Sequence, residues 1–80
     1  MNLKPLVTEK AVMMVESQNV LTFKLEKEAK KDEIKKEIEY LFEVKVANVR
    51  TLIRGNKKYA YVKLKKEFPA IDIATKLGII

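Results

Sequence analysis

The chain contains no cysteine and no histidine. The first absence excludes a disulfide framework, a cysteine-based zinc site and thiol catalysis. The second removes the usual general base and the commonest metal ligand. Glycine is scarce, and since Gly55 and Gly78 are the only two, no glycine-rich phosphate loop exists. Long apolar runs are missing as well. The longest near the start, "AVMMV" at 11–15, is too short for a membrane span and precedes no plausible cleavage site. No membrane insertion is expected, and a cytoplasmic domain is the default. The remaining nucleophiles, Ser17 and scattered threonines, have no histidine to activate them. Glu33, Glu37 and Glu39 are spread along a lysine-rich segment instead of converging, which suits a solvated helix surface. Neither an enzyme nor a cofactor or metal is expected.

One further absence is local. Between Arg50 and Lys66 there is no acidic residue, while seven basic ones occur: Arg50, Arg54, Lys57, Lys58, Lys63, Lys65 and Lys66. The chain has 17 basic and 11 acidic residues, so the other ten basic residues are slightly outnumbered and the whole +6 excess belongs to this stretch. Basic charge clustered in this way is the electrostatic footprint of a polyanion partner. Lysines also guard exposed sheet edges against aggregation. Arginine at both 50 and 54, however, exceeds that need, and its planar fork matches phosphate geometry.

What is present is enough for one globular domain over residues 1–80, with 48% apolar residues. Thr8 is a good N-cap for a helix over 8–16, with Ala11, Val12 and Val15 on one stripe. Residues 19–26, "NVLTFKLE", alternate with a period of two and predict a strand. In "KKDEIKKEIEYLF", Ile34, Ile38, Leu41 and Phe42 fall at i, i+4, i+7 and i+8, which predicts a helix over 30–43 burying that face. Asp32 and Glu33 suit its first turn. Pro69 and Gly78 bracket a last helix over 69–77, with Ala70, Ile73, Ala74 and Leu77 inward. The strand–helix–strand order of 19–26, 30–43 and 44–54 suggests a parallel crossover.

Between these elements, Gly55-Asn56 reads as a two-residue hairpin turn joining strands 44–54 and 57–65. Counting outward from it pairs Arg54 with Lys57, Ile53 with Lys58, Thr51 with Ala60, Val49 with Val62 and Ala47 with Leu64. The alternate pairs are Leu52 with Tyr59, Arg50 with Tyr61 and Asn48 with Lys63. Paired residues share a face, so one face is apolar except at its tip and the other is basic and aromatic. The expected architecture is an α+β sandwich: a small antiparallel or mixed sheet of three to four strands, two helices on its apolar face, and an N-terminal helix. Arg50 beside Tyr61 suits a cation–π pair that holds the guanidinium for a partner. Tyr59 and Tyr61 either stack on bases or lie under the N-terminal helix with only their hydroxyls exposed. The functional classes left open are an RNA-binding structural component, a small basic protein-interaction module, and a free single-strand RNA binder.

An ordered set of segments then carries a resemblance. "PLVTEKA" near the start, Phe23, Ala29, "IKKEIEYLFEVKV" (34–46), "TLIRG" (51–55), "AYVKL" (60–64) and "AIDIATKLGII" (70–80) together resemble the universal large-subunit ribosomal protein twenty-three family over essentially the whole chain. The short turn at Gly55-Asn56 is similar to that of the archaeal and eukaryotic branch. The resemblance implies a structural constituent of the large subunit, bound to rRNA near the polypeptide exit tunnel, cytoplasmic and on the ribosome. It implies neighbouring ribosomal proteins (protein twenty-nine among them), the signal recognition particle and other exit-site factors as partners. It also implies a split βαβ arrangement in which strand 57–65 lies between the other two. Carried over by position, Lys4, Thr8, Glu9 and Lys10 match an N-terminal RNA-facing motif. Lys4 and Lys10 are expected to flank the helix start that Thr8 caps, making a phosphate site there. Arg50, Thr51, Arg54, Gly55, Asn56, Lys57, Lys58 and Lys63 match the basic hairpin, and Tyr59 and Tyr61 stand beside it. The sequence departs from the family at Arg50, where asparagine is expected, at Tyr59, where a basic residue is expected, and at Lys30, a poor helix cap.

Overall fold

A computed structural model describes residues 3–26 and 29–79. The elements are β1 (Lys4–Pro5), α1 (Glu9–Gln18), β2 (Val20–Leu25), α2 (Lys31–Phe42), β3 (Val46–Arg54), β4 (Lys57–Leu64) and α3 (Ala70–Leu77). The four strands form one sheet in the order β1-β2-β4-β3, and every neighbouring pair is antiparallel. Since β2 and β3 both run against β4, they point the same way, with α2 joining them and β4 inserted between. This is the split βαβ arrangement. β1 lies outside the strands read from periodicity, because two residues cannot show a period. Its proline is tolerated because β1 is an edge strand.

Local chemistry sets the boundaries. Thr8 is extended, and its Oγ1 accepts a hydrogen bond from the Ala11 N–H at 3.1 Å, which starts α1. Asn19 ends α1 with φ 58, a left-handed conformation that its short polar side chain tolerates. That side chain also ties distant segments together. Its Nδ2 donates to the carbonyls of Leu64 at 3.1 Å and Phe68 at 3.2 Å, and its Oδ1 accepts from the Ala70 N–H at 2.6 Å. The end of α1, the end of β4 and the start of α3 therefore meet at one residue. Lys30 precedes α2 without any side-chain cap, as its identity foretells. In the hairpin turn Gly55 has φ 60, whereas Asn56 has no positive φ. Glycine is required at 55 for its backbone angle alone, since an added Cβ would meet nothing within 4 Å.

α2 and α3 cover one face of the sheet. Ile34, Ile38, Ala70 and Ala74 are all 0% exposed, and they share a core with Leu21, Phe23, Leu25, Val46, Val49, Ala60, Val62 and Leu64. Each fully buried large aliphatic or aromatic side chain in such a core contributes about 1.5–3 kcal/mol. Val20 and Thr22 are buried on the other side of β2, where α1 leans against that strand.

Three packing details correct the expectations. Ala47 does not oppose Leu64. A β-bulge between Val46 and Asn48 makes Val46 the partner of Leu64 and leaves Ala47 exposed. A bulge places two residues opposite one, and here it turns the larger apolar side chain inward. The N–H of Val46 donates to Glu39 Oε2 at 2.9 Å, so Glu39 is not simply part of a solvated surface. It ties α2 to the bulge. Finally, Leu41 is 54% exposed. The last turn of α2 is covered on the Phe42 side, where Phe42 lines a hollow with Phe68 and Ile73, and Leu41 lies outside that cover.

Candidate nucleic-acid interface

The hairpin register from Asn48 to Lys63 matches expectation pair for pair. It is extended across β2, where Val20 opposes Lys63, Thr22 opposes Tyr61 and Lys24 opposes Tyr59. β1 adds Lys4 opposite Lys24. The face turned away from α2 and α3 can therefore be written row by row. One row is Thr22, Tyr61 and Arg50. The next is Lys4, Lys24, Tyr59 and Leu52. Beyond it lie Lys57 and Arg54, and at the other end Val20, Lys63 and Asn48.

α1 stands over part of this face and converts it into a groove of about 450 Å³. Lys10, Met14 and Gln18, spaced four apart on α1, form one wall. Tyr61, Arg50, Lys63 and Leu52 from the hairpin form the other. The two tyrosines are half-buried. Tyr61 is a groove wall, packed on one side and open on the other. Arg50, Arg54, Lys57 and Lys63 are exposed. The groove thus offers an aromatic ring, apolar side chains and exposed cationic heads, a combination that suits an unstacked base with its phosphate.

The structure does not bring all the candidate residues to this place. Lys58 belongs to the opposite face, is half-buried, and donates from Nζ to the Ala29 carbonyl. Thr51 borders the groove, although its register places its side chain in the row of Phe23 and Ala60. Gly55 and Asn56 form the exposed hairpin tip. Thr8 caps α1, and Glu9 is exposed in the first turn of that helix. Lys10 lies in the first turn of α1, whereas Lys4 lies on β1. β1 carries Lys4 to Lys24, while α1 carries Lys10 into the groove.

Lys24 joins the functional candidates only in three dimensions. Its position on the polar side of β2 is legible in the sequence, but its company is not, because that depends on β1 and on the β2–β4 register. The charge of Lys57, and then a side-chain hydrogen bond with it, hold Lys24 below the usual lysine value of 10.5. Partial desolvation and the charge of Lys4 act in the same direction. Among the described residues no group of three or more acidic side chains comes together to hold a metal, and no helix is long and apolar enough to cross a membrane. The sequence pattern of the family described as ribosomal protein L23 matches residues 1–71, from the N-terminus into the first turn of α3.

Proposed function

The chain belongs to the ribosomal protein L23 family, proteins of the large ribosomal subunit, and we propose that its open sheet face binds large-subunit rRNA near the polypeptide exit tunnel. The observation that carries this reading is the register: Arg50, Arg54, Lys57, Tyr59, Tyr61 and Lys63 all lie on the one sheet face that α2 and α3 leave uncovered. Exposed lysine and arginine neutralise phosphates and release condensed counterions, which makes association favourable and strongly salt-dependent. Tyr61 in its groove, and Tyr59 beside it, present ring surface to a base or ribose. The work is structural, with positioned cations and rings and no bond-making step.

The far side of the molecule is suited to protein neighbours. On α2, Tyr40 is 81% exposed and Leu41 54% exposed, two apolar side chains that water alone would not favour. On this reading the RNA face anchors the protein on the cytoplasmic ribosome. Its outer surfaces meet adjoining ribosomal proteins such as protein twenty-nine, and the exit-site factors that receive nascent chains, including the signal recognition particle.

The test is RNA binding as a function of salt. Wild-type protein should bind a large-subunit rRNA fragment with an affinity that falls steeply with log salt concentration. Replacing Arg54 and Lys57 with Gln should shallow that slope by about one for each phosphate no longer neutralised, with the fold intact by circular dichroism. Wild-type binding without a steep electrostatic loss would favour a protein-interaction module instead. An unchanged slope in the variant would move the RNA site elsewhere.

A further inference from the structure

The basic face carries a pattern that neither its charge nor its family membership states. Lys4 on β1 directly opposes Lys24 on β2. Lys24 opposes Tyr59 on β4, and Lys57 lies two residues from Tyr59 on the same face of that strand. Lys57 in turn opposes Arg54 on β3. One cation from each strand thus forms a diagonal, Lys4–Lys24–Lys57–Arg54, across the full width of the sheet. Lys4 and Lys24 also line a small notch of about 170 Å³ with Leu25 and Glu26.

Such an arrangement costs stability. Like charges on facing sheet positions repel, and the charge of Lys57 disfavours the charged form of Lys24. An apolar or alternating-sign row would be the more stable choice for an exposed face. A shared anion reverses the sign of the repulsion, because each ammonium then faces an oxygen instead of another ammonium. The spacing fits a chain of anions better than a single one. Four strands about 4.8 Å apart span about 14 Å, and a nucleic-acid strand carries one phosphate per about 3.4 Å of helix axis.

We propose that the Lys4–Lys24–Lys57–Arg54 diagonal is a binding track for linked phosphate groups, with Lys24 at its centre. Resting on the RNA-binding reading above, it gives the line along which an RNA backbone crosses the sheet, beside the groove that takes a base at Tyr61. The cations belong to four separate strands, so the track exists only in the folded protein. Bound phosphates therefore stabilise the fold.

The test uses thermal unfolding of the full chain, with sodium tripolyphosphate as the probe at constant ionic strength. For wild type, a tenfold excess over the dissociation constant should raise the midpoint on the order of 5 °C. Lys24→Gln should raise the midpoint in chloride buffer, because it removes repulsion, and should lose most of the tripolyphosphate response. Lys24→Arg should keep the response. Lys35→Gln, on the exposed side of α2, removes the same charge off the track and should respond as wild type does. Equal responses from Lys24→Gln and Lys35→Gln would overturn the proposal, as would a lowered midpoint for Lys24→Gln in chloride. If the response is selective for Lys24 while wild type shows no salt-dependent rRNA binding, the track stands and the RNA reading falls.

Discussion

Two rows of the same three strands, one residue out of step, have opposite fates. Leu21, Val62 and Val49 lie side by side across β2, β4 and β3 and are 1%, 0% and 8% exposed. Thr22, Tyr61 and Arg50 lie in the adjacent row and are buried, half-buried and exposed in that order. The pleat sends successive side chains to opposite faces, so a single register decides both rows. The difference lies in the cover. α2 and α3 seal the first row along its whole width, while α1 covers the second only above β2. Exposure therefore grows across the open face from Thr22 to Arg50, and the groove forms where the cover of α1 ends. The proposed binding surface is the part of the sheet that α2 and α3 leave uncovered.

The two faces can be perturbed separately. The largest effect should come from the covered one. Ile38→Ala removes a fully buried side chain and should cost about 2–5 kcal/mol in denaturant unfolding, while the folded fraction keeps the wild-type salt slope for RNA. Leu41→Ala, on the same helix, should by contrast cost under about 0.5 kcal/mol. A large loss at Leu41 would mean that its side chain packs against the rest of the fold in solution.

Intermediate effects belong to the helix that makes the groove. Thr8→Ala removes the hydroxyl that accepts from the Ala11 N–H and should cost about 0.5–2 kcal/mol. Since α1 supplies one groove wall, the same variant should also weaken RNA binding at low salt without changing the salt slope.

The smallest effect should be a pH dependence on the open face. Lys24 is held below 10.5 in the folded protein, so between its lowered value and 10.5 the unfolded chain binds more protons than the folded one. Stability rises with pH wherever that holds. The penalty from crowded lysines is fully present at neutral pH and fades as the pH climbs through the folded value of Lys24. Unfolding measured from pH 7 to 10.5 should therefore show the advantage of Lys24→Gln over wild type shrinking. A constant difference would mean that the crowding is not felt by the protonated form.

Much of this is legible in the chain. The two-residue turn at Gly55-Asn56 sets a register that holds from Asn48 to Arg54, because a two-residue loop pairs Arg54 with Lys57 and so fixes every pair outward. It fails at Ala47, since a bulge changes the count without a local signal. Helix positions are readable where the core surrounds them, at Ile34 and Ile38. Leu41 escapes, because periodicity knows the angle around a helix but not where its cover stops. Lys58 looks like its neighbours in a basic run, yet alternation already assigns it to the other face.

Periods of 2 and 3.6, together with turn chemistry, are enough to define the α+β class, the single basic hairpin, and the division of that hairpin into an apolar and a charged face. They do not reach the existence of β1, the placing of α1 over the charged face to form a groove, or the joining of three elements at Asn19. Nor do they reach the alignment of Lys4, Lys24, Lys57 and Arg54 across four strands. Those belong to the assembled fold. Residues far apart in the chain become neighbours through strand order, and strand order is settled by which arrangement buries the core, not by the residues that end up on the surface.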